Sequence, residues 1–448
     1  MQTELALAFA ALHRHEPAAL VAWTKAGNVT RAELWGRAGA IREQLPLPPC
    51  GRIAISVRDG VTLLAAVLAT WQRGGCAVLL DAADPLAPRL DLARSFGAAV
   101  VCSDAGMVAT GLAAGCGSDP FAVIKLTSGS TDQPRGIGVT AAALCADADQ
   151  LEATMGIGDG DRVFGAVPMS FSYGVGNLLV PALCRGRALV LPDSQSPLGF
   201  LQAMRNGMPT VLPAVPALLR ALVQNAPEMP RSLRLVVSAG AVLLPEVAAA
   251  FAARFQMPVH SFYGSTESGG ICFDRTGTAA AAGTVGSPVD GVTVTLDAEG
   301  RVVVASAAVG AALDGCGNPA QGRFVTADLG QWRGDQLVLL GRTSEVFDVG
   351  GHKVHPREIE RLVAELPGID DVVVVPWRDR DGRATCAALV AASTLDEAAV
   401  RRHCVLRLPP AKVPRCIVVV PTLPRSDRGK LPRAEIERLL GGAGGAIP

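Results

Sequence analysis

A chain of 448 residues with 49% hydrophobic content can bury large cores, and its length corresponds to roughly three domains or fewer large ones. Its 49 Gly and 31 Pro stay below the share that marks low-complexity disorder, so a folded protein with punctuated loops is expected. Lys+Arg 41 cancels Asp+Glu 41, which argues against a whole-chain nucleic-acid binder or an adhesive membrane protein. The 11 cysteines form no CxxC pair and read as reduced, buried, small hydrophobes. The opening carries Glu4 and lacks a basic n-region, and the apolar stretch from Val61 to Trp71 is far short of the ~20 residues of a membrane span, so no membrane span and a cytoplasmic location are expected.

From residue 52 to 263 short β-rich runs alternate with Ala/Leu-rich stretches of helical spacing, as in parallel α/β units. Strands are predicted at 52–57, 77–80, 99–102, 121–124, 162–167, 188–191, 233–238 and 259–263. Helices are predicted at 141–155, 198–206, 216–225 and 245–255. After Gly286 the pattern becomes strand, turn, strand, with 292–296 and 302–305 around Glu299-Gly300 and a second hairpin over 331–340, which predicts an antiparallel β subdomain. Beyond Arg342 come a helix near 357–366, strands at 372–376 and 384–390, a helix near 397–406, a strand at 417–420 and a final helix. The fold class is therefore α/β: a large N-terminal body of parallel α/β sheets plus a β subdomain, followed by a small α+β domain. The expected division is 1–341 for the body, 342–345 for a hinge and 346–448 for the C-terminal domain.

Charge divides unevenly at that boundary. From Arg342 onward there are 17 Lys/Arg and 14 Asp/Glu, against 24 and 27 before it. Between Arg401 and Arg433 nine basic residues accompany one acid, Asp427, which predicts a positive patch, with a solvated helix face as the plain alternative.

The first chemical signal is LTSGSTDQPRG at 126–136, directly after an apolar strand. Small and hydroxyl residues at Thr127, Ser128, Gly129, Ser130 and Thr131 let backbone N–H groups and hydroxyls wrap phosphate oxygens, and Arg135 adds a charged fork. The GxxxxGK[ST] order of a Walker loop is absent, and such a run alone is more often an ordinary loop. It does not stand alone. Tyr263-Gly264-Ser265-Thr266-Glu267, Thr326-Ala327-Asp328, Gly341-Arg342, Gly350-Gly351-His352-Lys353-Val354 and Pro424-Arg425-Ser426-Asp427-Arg428-Gly429-Lys430 follow in order.

This set, covering residues 121 to 433, resembles the superfamily of adenylate-forming enzymes: acyl- and aryl-CoA ligases, peptide-synthetase adenylation domains and luciferases. The resemblance implies ATP and Mg²⁺ as cofactors and attack of a carboxylate on the α-phosphate. A carboxylate is already ionised near neutral pH, so the barrier lies in bringing two anions together, and the enzyme must neutralise and align them. By resemblance, the loop at Thr127 to Arg135 holds the β- and γ-phosphates and Glu267 ligates Mg²⁺. Tyr263 packs on adenine beside Gly240-Ala241, Asp328 and Arg342 hold the ribose hydroxyls, and Lys430 reaches the carboxylate and α-phosphate as the adenylating lysine. The catalytic set is thus Lys430, Glu267 and Arg342. A mobile C-terminal domain then rotates about a hinge at Ser344 and presents the pantetheine loop, Gly350, Gly351, His352 and Lys353, so that a phosphopantetheine thiol of CoA or a holo acyl carrier protein displaces AMP. His352, His355 and His403 are possible contacts to that partner, with solvated or structural roles the commoner use of histidine.

Departures from the family pattern are Asp132 for Gly, Arg135 for Lys, Val242 after Gly240-Ala241 where Pro is usual, and Ser344 at the hinge. Asp132 either points away from the triphosphate or weakens ATP binding. Phe171-Ser172-Tyr173-Gly174-Val175-Gly176-Asn177 resembles the FxYGxGN stretch of benzoate-type ligases, and with Gly269 and Gly270 it suggests a flat slot for a ring. The phosphate loop arrives by residue 127, a shorter front than in typical relatives, which resembles the stand-alone ligases of bacterial pigment and polyketide pathways that load hydroxybenzoate-type acids onto a carrier protein. The expected function is an aryl acid ligase; alternatives are a short- or medium-chain acyl-CoA ligase, a non-catalytic nucleotide- or carrier-protein-binding relative, or a kinase or ATPase, which would yield ADP.

Overall fold

The computed structural model describes residues 4–45, 51–112, 120–127, 134–193, 197–313, 322–343, 347–349, 352–424, 431–441 and 447. These residues form two compact units: 1–294 with 304–324 and 334–337, and 295–303 with 325–333 and 338–448.

The first unit contains two sheets. Across the nine-stranded sheet the order is Ser287–Pro288, Gly269–Phe273, His260–Ser265, Leu235–Ser238, Val211–Ala214, Arg162–Phe164, Ala188–Val190, Leu20–Thr24 and Gly27–Thr30. The strands from His260–Ser265 through Leu20–Thr24 pair in parallel, and the edges are antiparallel. The seven-stranded sheet runs Ala311–Ala312, Arg135–Val139, Val123–Thr127, Cys76–Leu79, Arg52–Ser56, Ala98–Ser103 and Gly106–Ala109, again with a parallel centre.

Local chemistry sets the helix limits. Thr140 accepts from Ala143 N–H to start Ala141–Met155, and Gly156 ends it at φ 63°, a left-handed conformation that favours glycine. Proline at the first helical position opens both Pro216–Asn225 and Pro245–Phe255. The helix Gly60–Gln72, capped by Asp59, is buried on nearly every face, which explains why its sequence is apolar without periodicity. It accounts for the stretch from Val61 to Trp71, and no helix among the described residues is long and apolar enough to cross a membrane.

The predicted strand at 162–167 ends earlier, at Phe164: Ala166 N–H turns back to Phe164 O, and the chain leaves the sheet through Pro168. Sequence periodicity had not marked Val211–Ala214, whose Pro213 obscures the strand signal, nor the helix and hairpin before residue 45.

In the second unit the strands Ile369–Arg378, Ala384–Ala392 and Cys416–Val420 form a three-stranded sheet, antiparallel then parallel. Helices Pro356–Ala364 and Glu397–Val405 bury Ile359, Val363, Val400 and Cys404 against one face. The other face packs Leu423, Ile436, Leu439 and Leu440, the last three on the helix Arg433–Leu440. A four-stranded sheet of Thr293–Leu296, Arg301–Ala305, Arg323–Arg333 and Gln336–Arg342 provides the expected β subdomain.

Candidate active site

Most of the sequence-predicted groups of the first unit lie at carboxyl ends of parallel strands, where open α/β sheets place ligands. Thr127 closes the strand Val123–Thr127 and pairs with Arg135 at the start of the returning strand, so the expected phosphate loop is the connection of an antiparallel hairpin. Ser128, Gly129, Ser130 and Thr131, with Asp132, fall outside the described residues.

Tyr263 and Gly264 sit at the end of the strand His260–Ser265, with a register shift between them, and Gly264 pairs with Gly270 and Ser265 with Gly269. Tyr263 is buried; Ser265 at the strand end and Thr266 and Glu267 in the following turn are half-buried. Ser265 Oγ lies 3.0 Å from Ser268 Oγ and accepts from Ser268 N–H, which tightens that turn. Gly240 follows the strand Leu235–Ser238 at φ 83°, and both it and Ala241 are exposed.

Two hydrogen bonds hold the Thr266-Glu267 turn to other parts of the unit. Ser172 Oγ donates to Thr266 Oγ1 at 2.8 Å, joining the predicted acid segment to the adenylate motif. Gly310 N–H donates to Glu267 O at 2.7 Å. The next residues, Ala311–Ala312, pair with Gly138 and Ile137 on the strand that begins at Arg135, so the phosphate hairpin and the Glu267 turn are fastened to one another. Glu267 offers a hard oxygen donor from a half-buried position. That fits Mg²⁺, which takes one or two protein carboxylates and completes its shell with phosphate and water.

The acid segment begins at Phe171, whose carbonyl starts a helical turn over Ser172–Gly174 that continues in wider, π-helical turns over Val175–Leu179 and Pro181–Arg185. Tyr173 turns its hydroxyl inward, donating to Val237 O at 3.3 Å, and burial holds the phenol well above its ordinary pKa. It therefore anchors this helix to the sheet and contributes its ring to the segment. A Cβ on Gly174 would lie 2.1 Å from Pro168 O, so only glycine fits there.

Sequence reasoning missed two buried side chains of opposite charge in this unit. Lys125, 4% exposed on the strand Val123–Thr127, and Asp147, 7% exposed on the helix Ala141–Met155, are both enclosed. Burial pushes the Lys125 ammonium down, while Asp147 and Glu267 push it back up. Burial raises the Asp147 carboxyl, opposed by Lys125 and by the N–H of Gly270, which donates to Asp147 Oδ1 at 2.9 Å. The only sequence signal was a lysine inside an apolar strand.

In the second unit, Asp328 and Arg342, 14 residues apart, are brought together by adjacent strands: Arg342 Nε donates to Asp328 Oδ1 at 2.9 Å. Asp328 N–H donates to Thr326 Oγ1, and Thr343 N–H to Ala327 O, fixing the carboxylate's strand. An ionised carboxylate and a guanidinium side by side can accept from and donate to vicinal hydroxyls. His352 and Lys353 lie on a short strand paired with Phe347–Val349. Ser344, Gly350, Gly351 and Lys430 fall outside the described residues.

Within the basic patch, Arg401 pairs with Glu397, Lys412 with Glu358, Arg415 with Asp379 and Arg433 with Glu437, so much of its charge is locally balanced. Of the three histidines, His403 is buried with Nε2 2.8 Å from Leu362 O, a structural position.

The AMP-binding enzyme family model matches residues 105–311, and the AMP-binding enzyme C-terminal domain model matches residues 358–430. The chain is similar to anthranilate–CoA ligase of Pseudomonas aeruginosa, 31% identical over 72% of this chain and 68% of that one. It is also similar to the 4-hydroxybenzoate–CoA/benzoate–CoA ligase of Rhodopseudomonas palustris, 29% identical over 72% of this chain and 66% of the relative. Among solved structures, ATP-bound MatB from Rhodopseudomonas palustris shares the fold with a TM-score of 0.83 at 24% identity, over 98% of this chain and 99% of that one.

Proposed function

The chain belongs to the AMP-binding enzyme family and is an AMP-forming acid–thiol ligase, and from that premise we propose that its acid is a single-ring aromatic carboxylate of the benzoate or hydroxybenzoate type. The observation that supports this reading is the Ser172–Thr266 hydrogen bond, which joins the segment resembling the FxYGxGN stretch of benzoate-type ligases to the segment resembling the adenylate motif. Similarity to ligases named for benzoate, 4-hydroxybenzoate and anthranilate supports the same class.

In the proposed reaction the acid's carboxylate oxygen attacks the α-phosphorus of ATP and pyrophosphate leaves. The ionised carboxylate needs no general base; it needs its charge and that of the triphosphate balanced. Arg135 and the hairpin after Thr127 hold the outer phosphates, Tyr263 covers adenine beside Gly240 and Ala241, and Asp328 with Arg342 takes the ribose. Lys430 supplies the ammonium group nearest the developing charge. Mg²⁺ held by Glu267 would offset phosphate charge. Residues 342–345, with Ser344, act as a hinge between the body and the domain from 346 onward, and Gly350 to Lys353 then line the path of a phosphopantetheine thiol, of CoA or of a carrier protein, which attacks the acyl carbonyl and expels AMP.

The test supplies ATP, Mg²⁺, a set of benzoates and fatty acids, and either CoA or a holo carrier protein, and identifies nucleotide and thioester by mass. AMP, pyrophosphate and an aromatic thioester are expected. ADP, or thioesters of aliphatic acids alone, would overturn the proposal.

A further inference from the structure

We propose that Cys145 is an oxidation site: its sulfur reacts with a small hydroperoxide, and Cys184 resolves the product into a Cys145–Cys184 disulfide.

The argument begins with a register between two segments. On the helix Ala141–Met155, Cys145, Asp149 and Glu152 are spaced four and three residues apart and so share one face. The stretch that leaves the acid segment, Cys184-Arg185-Gly186-Arg187, is fastened to that face. Arg185 Nε donates to Asp149 Oδ1 at 2.6 Å, and Arg187 holds Glu152 by two bonds, from Nε at 2.8 Å and from Nη2 at 2.7 Å. Continuing the same match one helical turn back brings Cys184 to Cys145, and there the Cys184 thiol donates a hydrogen bond to the Cys145 sulfur. Arg185 Nη1 also donates to Cys184 O, and Gly186 turns the chain at φ 70°, so the backbone at the pair is held from both sides.

The two sulfurs are placed unequally, and the roles follow. Cys145 is half-buried on the same face as the exposed Asp149, within reach of a small solute, whereas Cys184 is buried. The Cys184 S–H and then Arg185 favour the thiolate of Cys145, which is the form that attacks a peroxide, while the same hydrogen bond and burial keep the proton on Cys184. Burial moves Cys102, Cys272 and Cys386 the opposite way, as suits cysteines that serve only as small packing residues.

In the first step the Cys145 thiolate attacks the terminal oxygen of the hydroperoxide. An S–O bond forms, the O–O bond breaks, and the departing alkoxide, or hydroxide from hydrogen peroxide, takes a proton from water. Cys184 then gives up its proton and its sulfur attacks the sulfur of the Cys145 sulfenic acid; the S–S bond forms, the S–O bond breaks, and the hydroxide leaves as water. The two thiols together lose two electrons to the hydroperoxide. The new bond would join the end of the acid segment to the helix that follows the phosphate hairpin.

The test treats the native full-length protein with a few equivalents of hydrogen peroxide, alkylates the remaining thiols and maps the tryptic peptides by mass. Trypsin releases residues 136–162 with Cys145 and residues 163–185 with Cys184. A linked pair of these peptides is expected, lighter than their sum by two hydrogens, parted by dithiothreitol, and formed at least about tenfold faster than Cys272 is oxidised in the same sample. Cys184→Ser should leave the oxidised Cys145 as a sulfenic acid that dimedone captures, and Cys145→Ser should leave Cys184 reduced. The wild-type map needs no variant, so it decides the matter even where a variant fails to fold. A Cys145 that stays reduced, that ends as an unlinked sulfinic acid, or that pairs with a cysteine other than Cys184 overturns the proposal.

Discussion

Gly174→Ala tests whether the helix after Phe171 positions the acid. The added Cβ would sit 2.1 Å from Pro168 O, 2.7 Å from Pro168 C and 2.8 Å from Met169 Cα, all backbone atoms that cannot rotate away. Ordinary contact begins at 3.4 Å, so the helix start must retreat by about 1.3 Å along that direction. Ser172, with its bond to Thr266, and Tyr173, with its bond to Val237 O, travel with it. Displacements of this size cost about 10²-fold where reacting groups must be aligned, and overpacking costs about 1–3 kcal/mol of stability. We expect kcat/KM for the acid to fall about 100-fold in pyrophosphate release, with KM for ATP rising by a smaller factor, because the strain reaches the nucleotide turn only through the Ser172–Thr266 bond while the phosphate hairpin is not displaced. Thermal unfolding measured alongside separates misalignment from collapse. Near-parental kinetics together with an unshifted melting temperature would refute the reasoning, since the helix would then be free to move without consequence.

Arg342→Ala and Asp328→Ala should each raise KM for ATP at least about fivefold, and the double variant should lose less than the sum, because each single change removes the same 2.9 Å pair; a double-mutant cycle reads the difference. Lys430→Ala should lower adenylate formation at least about 100-fold while leaving AMP binding measurable by calorimetry, the expected loss for a charge that stabilises only the transition state. Cys145 should react with iodoacetamide at lower pH than an ordinary thiol, because a hydrogen bond from the Cys184 thiol and the nearby Arg185 hold it below the usual thiol range; a rate–pH profile no different from that of a free thiol would count against this. Cys272, pushed up to about 12 by burial, should stay unlabelled until the protein unfolds, which mass spectrometry of tryptic peptides distinguishes.

The parts of this molecule that sequence reveals are those governed by local rules. Thr140 and Gly156 bracket one helix, Pro216 and Pro245 open two more, and these helices lie where the pattern places them because a cap or a proline decides the boundary without reference to the rest of the chain. The motif residues were picked out by the family resemblance and not by local rules; of them Thr127 ends its strand, Tyr263 lies two residues before the end of its own and Gly240 two residues after Ser238. What remained hidden depends on distant partners. Nothing around Asp147 says that its carboxylate fills the side-chain space of Gly269, 122 positions later, or that Lys125 stands nearby. Tyr173 was legible as part of the acid segment but not as an anchor whose hydroxyl points into the sheet, since that follows from where Val237 ends up. Four of the nine basic residues between Arg401 and Arg433 show how pairing escapes a count along the chain: Glu397 and Glu437 sit one helical turn from Arg401 and Arg433, while Glu358 and Asp379 come from other elements to meet Lys412 and Arg415.

Thr266 and Glu267 are neighbours in the chain yet tethered from opposite directions, one by Ser172 and the other by Gly310. Grafting a relative's acid-recognition helix onto this scaffold would therefore tug on the same short turn that we assign to nucleotide. A working chimera must import the hydroxyl at position 172 along with the new lining, or bring in residues 263–270 and 310–312 as a single cassette. Swaps that respect this joint should alter which acid is taken; swaps that cut through it should silence both ligands at once.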